Sequence, residues 1–161
     1  MLIKKLQFSD SSYLKSFLII FSLVIAISFL GIINFTQAKS FNDLQFEKLE
    51  IADSLKEIQI GLMNRKSLCS DCGMLFILPI EGKTAFWMKN TYIPLDILFI
   101  SKNGEVITIH ENAQPLNELN RYWPKRNAKY VLEVNAGYSQ KHNINEGEFF
   151  NIDKLFEQSR K

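Results

Sequence analysis

Cys69-Ser-Asp-Cys72 carries the most reactive side chains in the chain. A C-x-x-C can act as a dithiol/disulfide couple, but redox work needs a thiolate of low pKa, usually at a helix N-terminus. Here the pair follows a predicted helix and precedes Gly73 and a predicted strand. That position suits a local disulfide stiffening a turn, the oxidised form favoured outside the cytoplasm. Zinc would need two further ligands, and His110 and His142 lack finger-like spacing, so no metal centre and no cofactor are expected. Met63, Met74 and Met88 could hold a soft metal such as copper(I), but all three stand beside Leu or Phe, where they serve to fill a core.

Thr84 to Thr91 offers a different chemistry. In a pleated strand Phe86 and Met88 share one face while Trp87 and Lys89 share the other. An aromatic plane beside a cation suits a planar or anionic ligand, through stacking and charge-assisted hydrogen bonds. The structural alternative is that Trp87 is core and Lys89 a solvated neighbour. Asn90 and Thr91 lead into Ile93-Pro94, a turn that Asn90 can brace.

Two carboxylates interrupt apolar strands: Asp96 before Ile97-Leu-Phe-Ile100, and Glu133 within Val131-Leu-Glu-Val134. Burying a carboxylate is costly unless it is paired or bound to amides, and Arg65 and Lys89 are the natural partners. The sharper reading makes Asp96 or Glu133 an acid or base of raised pKa. No nucleophile constellation accompanies them: there is no G-x-S-x-G and no Ser-His-Asp pattern.

The elements that must position these residues follow a leader. Lys4, Lys5 and Lys15 precede the uncharged run Phe17 to Ile33, and Thr36-Gln37-Ala38 provides a small-residue exit. As a helix the run would be about 25 Å long, so residues 1–38 read as a secretory signal or a single-span anchor. Residues 39–161 are then one exported domain, periplasmic or extracellular, either free or tethered to the cytoplasmic membrane. Of the 161 residues 47% are hydrophobic and 22% charged, and beyond residue 38 acidic and basic residues balance. Those figures exclude a disordered chain, a disulfide-dense miniprotein and a basic nucleic-acid binder.

Within the domain, Gln45 to Ala52 suits a first strand, and Ser54-Leu-Lys-Glu57 is a capping box opening a short helix toward Asn64. Further strands are predicted at Met74–Leu78, Thr84–Met88, Leu95–Ile100, Glu105–His110, Tyr130–Asn135 and Glu148–Ile152, with Asn103-Gly104 as a hairpin turn. Strands so spaced, with one short helix, point to a mainly β fold, a small antiparallel sandwich or barrel. Asn112 to Ala128, containing Tyr122, Trp123 and two prolines, reads as a covering flap.

Gly61-Leu-Met-Asn-Arg65, Gly73-Met-Leu-Phe76, Phe86-Trp-Met-Lys-Asn-Thr91, Ile93-Pro-Leu-Asp96 and Val131-Leu-Glu-Val-Asn-Ala-Gly137 occur in this order. Together they closely resemble the bacterial and archaeal family named domain of unknown function 192, over about residues 44–152. The resemblance implies a compact, mainly β domain behind a signal or anchor, and brings no established activity with it. Cys69 and Cys72 lie outside the family pattern.

The site expected from these residues is Arg65, Trp87, Lys89, Asn90, Asp96 and Glu133, in a module that binds a small molecule or a polysaccharide. Two alternatives stand beside it. One is an acid–base, hydrolase-like enzyme using Asp96 or Glu133, or the two as a pair; the other is a thiol-redox or metal accessory role for Cys69 and Cys72.

Overall fold

The computed structural model describes residues 44–160; the leader expected over residues 1–38 lies outside them. Among the described residues no helix is long and apolar enough to cross a membrane. The chain builds β1 (Lys48–Ala52), α1 (Leu55–Ile60), β2 (Cys72–Gly82), β3 (Leu95–Ile100), β4 (Val106–Ala113), β5 (Ala128–Asn135), α2 (Tyr138–Lys141) and α3 (Ile152–Ser159).

The five strands form one sheet in the order β1-β2-β5-β3-β4. It is mixed. β1 pairs parallel to β2, with Lys48 opposite Cys72, whereas β2–β5, β3–β5 and β3–β4 are antiparallel. This corrects the expected antiparallel sandwich or barrel. The cause is α1, whose crossover returns the chain to the start of a parallel neighbour, as parallel pairing requires. Its capping box forms as predicted: the Glu57 amide donates to Ser54 Oγ, and Glu57 Oε2 accepts from the Ser54 amide.

Apolar residues cover both faces of the sheet. On one face Met74, Phe76, Ile97, Phe99 and Val131 pack beneath Leu62, Phe86, Met88, Ile93 and Tyr122. On the other Leu75, Leu98, Ile100, Leu132 and Val134 pack against Phe46, Tyr138, Ile144, Phe150 and Leu155. β3 lies between two antiparallel neighbours, and all six of its residues are buried. Alternate side chains of one continuous apolar run can therefore feed both cores.

The hairpin at Asn103-Gly104 is present. Gly104 adopts φ +89°, and a Cβ there would lie 2.2 Å from the Phe150 carbonyl oxygen, so only glycine fits. Two predicted strands are not formed. Thr84–Met88 contributes a single bridge, Phe86 to Tyr122, and Glu148–Ile152 a single bridge, Phe149 to Glu105. The second segment turns instead into α3, where Asn151 caps the Lys154 amide and Leu155 is buried. β2 continues through Pro79 to Gly82 because its register against β5 breaks after Ile77, so the missing proline amide disturbs no ladder.

Candidate functional site

Glu133 sits on β5 between Met74 of β2 and Ile97 of β3, so its side chain enters the face covered by Phe86 and Met88. It is 5% exposed. Among the described residues it meets no cation. Burial alone pushes its carboxyl up to about 8, far above the ordinary carboxylate value of 4.5. At neutral pH Glu133 is thus chiefly a neutral acid, able to donate one hydrogen bond and accept others.

The carboxyl faces a small cavity of about 20 Å³ lined by Gly61, Leu62, Phe76, Phe86, Trp87 and Thr91, among others. That volume accommodates about one water molecule or one polar ligand group. Gly61, the C-cap of α1, forms part of its wall at φ +49° and ψ −130°, a conformation open essentially to glycine alone. A Cβ there would stand 3.0 Å from Phe76 Cζ and 3.9 Å from Glu133 Oε2. The close approach of the α1 terminus to the carboxyl thus depends on the missing side chain.

Trp87, which lines this cavity, also meets a pair of cations. Arg121 Cζ lies 4.6 Å and Lys89 Nζ 5.3 Å from the centroid of its ring. Lys89 also approaches Glu118 at 3.8 Å, and Arg121 donates to the backbone oxygens of Glu118 and Asn120. The segment that carries Arg121 crosses the Trp87 segment as the expected flap. The Phe86 and Tyr122 amides each donate to the other's carbonyl at 2.9 Å, and the Leu116 amide donates to the Thr91 carbonyl. The flap is shorter than predicted, because β4 runs to Ala113 and β5 starts at Ala128.

The remaining expected site residues separate. Arg65 is taken by Glu50 in a two-armed ion pair, at 2.6 and 2.9 Å, which holds the Glu50 carboxyl below its ordinary value. Asp96 is fully buried on the opposite face from Glu133. Its Oδ1 accepts from the Asn112 amide and its Oδ2 from the Ser139 amide, both at 2.9 Å. Asn90 is exposed, at φ +50°, and its carbonyl accepts from the Asn64 amide, bracing the turn as expected. Pairing of Asp96 and Glu133 with Arg65 and Lys89 is therefore corrected. So is the two-carboxylate enzyme, since groups on opposite faces of a sheet cannot flank one bond. The Trp87 ring, expected to stack on a ligand, also meets the protein's own Lys89 and Arg121. What converges is Glu133, Trp87, Thr91 and Lys89, joined by Gly61 and Arg121. Of the two residues sequence reasoning missed, Arg121 had a signal in the aromatic flap beside it and Gly61 had none.

Cys69 and Cys72 are disulfide-bonded, with Cα atoms 5.1 Å apart. They line a separate open groove with Glu47, Glu50 and Arg65.

Comparison with known proteins agrees with the fold. The family described as DUF192, Uncharacterized ACR, matches residues 36–152. A protein from Sinorhizobium meliloti 1021, described provisionally as a transcription regulator, is 40% identical. It aligns over 63% of this chain and 78% of its own, with a TM-score of 0.61. A protein of unknown function from Novosphingobium aromaticivorans DSM 12444 is 35% identical over 63% of this chain and 71% of its own, with the same TM-score. No curated protein matches significantly.

Proposed function

From the premise that the chain belongs to the DUF192 family, we propose that its domain is a non-catalytic module binding a small anionic molecule, or an anionic unit of a polysaccharide, at Trp87. The observation that carries this reading is the buried Glu133 carboxyl, which meets no cation among the described residues and faces a cavity lined by Trp87. Lys89 and Arg121, steadied by the ring, attract a carboxylate or phosphate through charge-assisted hydrogen bonds. Neutral Glu133 then exchanges hydrogen bonds with a hydroxyl or water reaching the cavity, without repelling the anion.

The proposed place of action is outside the cytoplasm. The positive flank, apolar run and small-residue exit of residues 1–38 support export, with the domain secreted or anchored to the cytoplasmic membrane. No nucleic-acid partner is proposed, because the charges beyond residue 38 balance.

Thermal unfolding of the full chain with glucuronic acid, inorganic phosphate and, as a neutral control, glucose tests the reading. A bound anion raises the melting temperature by mass action, and glucose does not. Arg121→Ala should abolish that rise while leaving the unliganded melting temperature within about a degree or two. No rise with either anion, or an equal rise in the variant, overturns the proposed site.

One observation favours a second reading. A carboxyl titrating near neutrality is matched to general acid catalysis, with Glu133 as a single proton donor. Turnover of an anionic glycoside that Glu133→Gln eliminates, while binding persists, would select it.

A further inference from the structure

Glu47 precedes β1 and is far in sequence from the C-x-x-C, yet its carboxylate and the two sulfurs lie within 4.8 Å of one another. We propose that reduction of the Cys69–Cys72 bridge creates a three-ligand zinc site from Cys69, Cys72 and Glu47, independent of the Trp87 site. C-x-x-C is a ligand spacing of zinc sites, thiolate and carboxylate are both zinc ligands, and three protein ligands with an open position are the arrangement of zinc sites that keep a water. Tetrahedral zinc, with bonds of about 2.0 to 2.3 Å, would hold its ligand atoms roughly 3.5 to 4 Å apart, so the freed sulfurs would swing apart by nearly 2 Å while the Glu47 carboxylate closes in by up to about 1 Å.

The turn is held by contacts other than the bridge. The Cys72 amide donates to the Cys69 carbonyl at 3.2 Å, and the Glu47 amide to the Asp71 carbonyl at 2.8 Å. Asn135 Nδ2 donates to the Cys69 carbonyl at 2.7 Å, tying the turn to β5. Cys72 also stays in the sheet opposite Lys48. Opening the bridge therefore leaves the backbone of the turn in place while the two sulfurs swing apart. Cys72 is buried, Cys69 half-buried and Glu47 exposed, and the adjoining groove leaves room for water as a fourth ligand.

The chemistry balances with a dithiol as reductant. Two electrons pass to the protein sulfurs, the dithiol closes to its own disulfide, and the two protein thiols release their protons when zinc binds.

The test reduces the full chain with a dithiol, removes the dithiol by gel filtration under nitrogen, and titrates zinc against a chromophoric chelator. The reduced chain should take up one equivalent and the oxidised chain none. Glu47→Gln, at an exposed position, should weaken uptake at least about tenfold, and Cys72→Ser should abolish it. Cobalt should give a thiolate charge-transfer band only in the reduced protein. Equal uptake by oxidised chain, no uptake by reduced chain, or unchanged affinity in Glu47→Gln each overturns the proposal.

Discussion

Asp96 and Glu133 lie on adjacent strands, one register step apart, yet point to opposite faces of the sheet. Asp96 pairs with Val134 and Glu133 with Ile97, and the pleat sends the two pairs in opposite directions. The faces treat the carboxylates differently. Asp96 meets two backbone amides, whereas Glu133 meets a hydrocarbon wall and a small cavity.

Glu133 imposes a pH dependence with a definite sign. Its folded value of about 8 exceeds the ordinary 4.5, so the folded chain keeps a proton that the unfolded chain loses between those limits. Its contribution is fully present below the lower value, declines as pH rises, and levels off above the upper one. Glu133→Gln, which carries no charge, should match the parent near pH 5 and exceed its stability by about 2–4 kcal/mol at pH 9. Urea unfolding of both chains across that range checks it. A difference that does not change with pH would show that Glu133 titrates as an ordinary carboxylate.

Asp96→Ala should cost about 3 kcal/mol, since the buried Ser139 amide and the part-buried Asn112 amide lose their acceptor together. Asp96→Asn keeps one acceptor but turns an NH₂ group toward an amide donor, so it should cost about half as much. Denaturant midpoints give the costs. Hydrogen exchange at the Asn112 and Ser139 amides should quicken in both variants.

Gly61→Ala should destabilise by about 2 kcal/mol. The backbone conformation is strained for any L side chain, and the new methyl would press on the Phe76 ring. The shift should appear as a lower denaturant midpoint at unchanged m-value. Parent-like stability would mean that the α1 terminus moves freely away from Phe76.

Arg65→Ala should cost no more than about 1 kcal/mol at low salt, and less at high ionic strength. The pair with Glu50 has good two-armed geometry, but both side chains are partly exposed, at 34% and 26%. Thermal unfolding at two salt concentrations distinguishes this from a binding role, in which stability would be unaffected and anion affinity reduced.

Much of the architecture was readable in advance because its causes are local. The Ser54/Glu57 capping box, the Asn103-Gly104 turn and the apolar run of β3 are each specified within about six neighbouring residues. Thr84–Met88 and Glu148–Ile152 have strand-like composition, but the first pairs only with Tyr122 of the flap, and the second hydrogen-bonds only Gly104–Val106 at the start of β4 before turning into α3. The Asn151 cap and the apolar face of α3 were present as signals, yet the bulky residues just before them read as a strand.

Sequence by itself determined the mainly β class, the family, the short capped helix and the presence of two carboxylates inside apolar strands. Tertiary structure decided what each of those carboxylates meets, and that Arg121 lies over Trp87. It also decided that Glu47 stands beside the cysteines. The physical reason is that alternation tells which residues share a face, but long-range register decides which groups come within a few ångströms. Charge and hydrogen-bond energies depend on that separation.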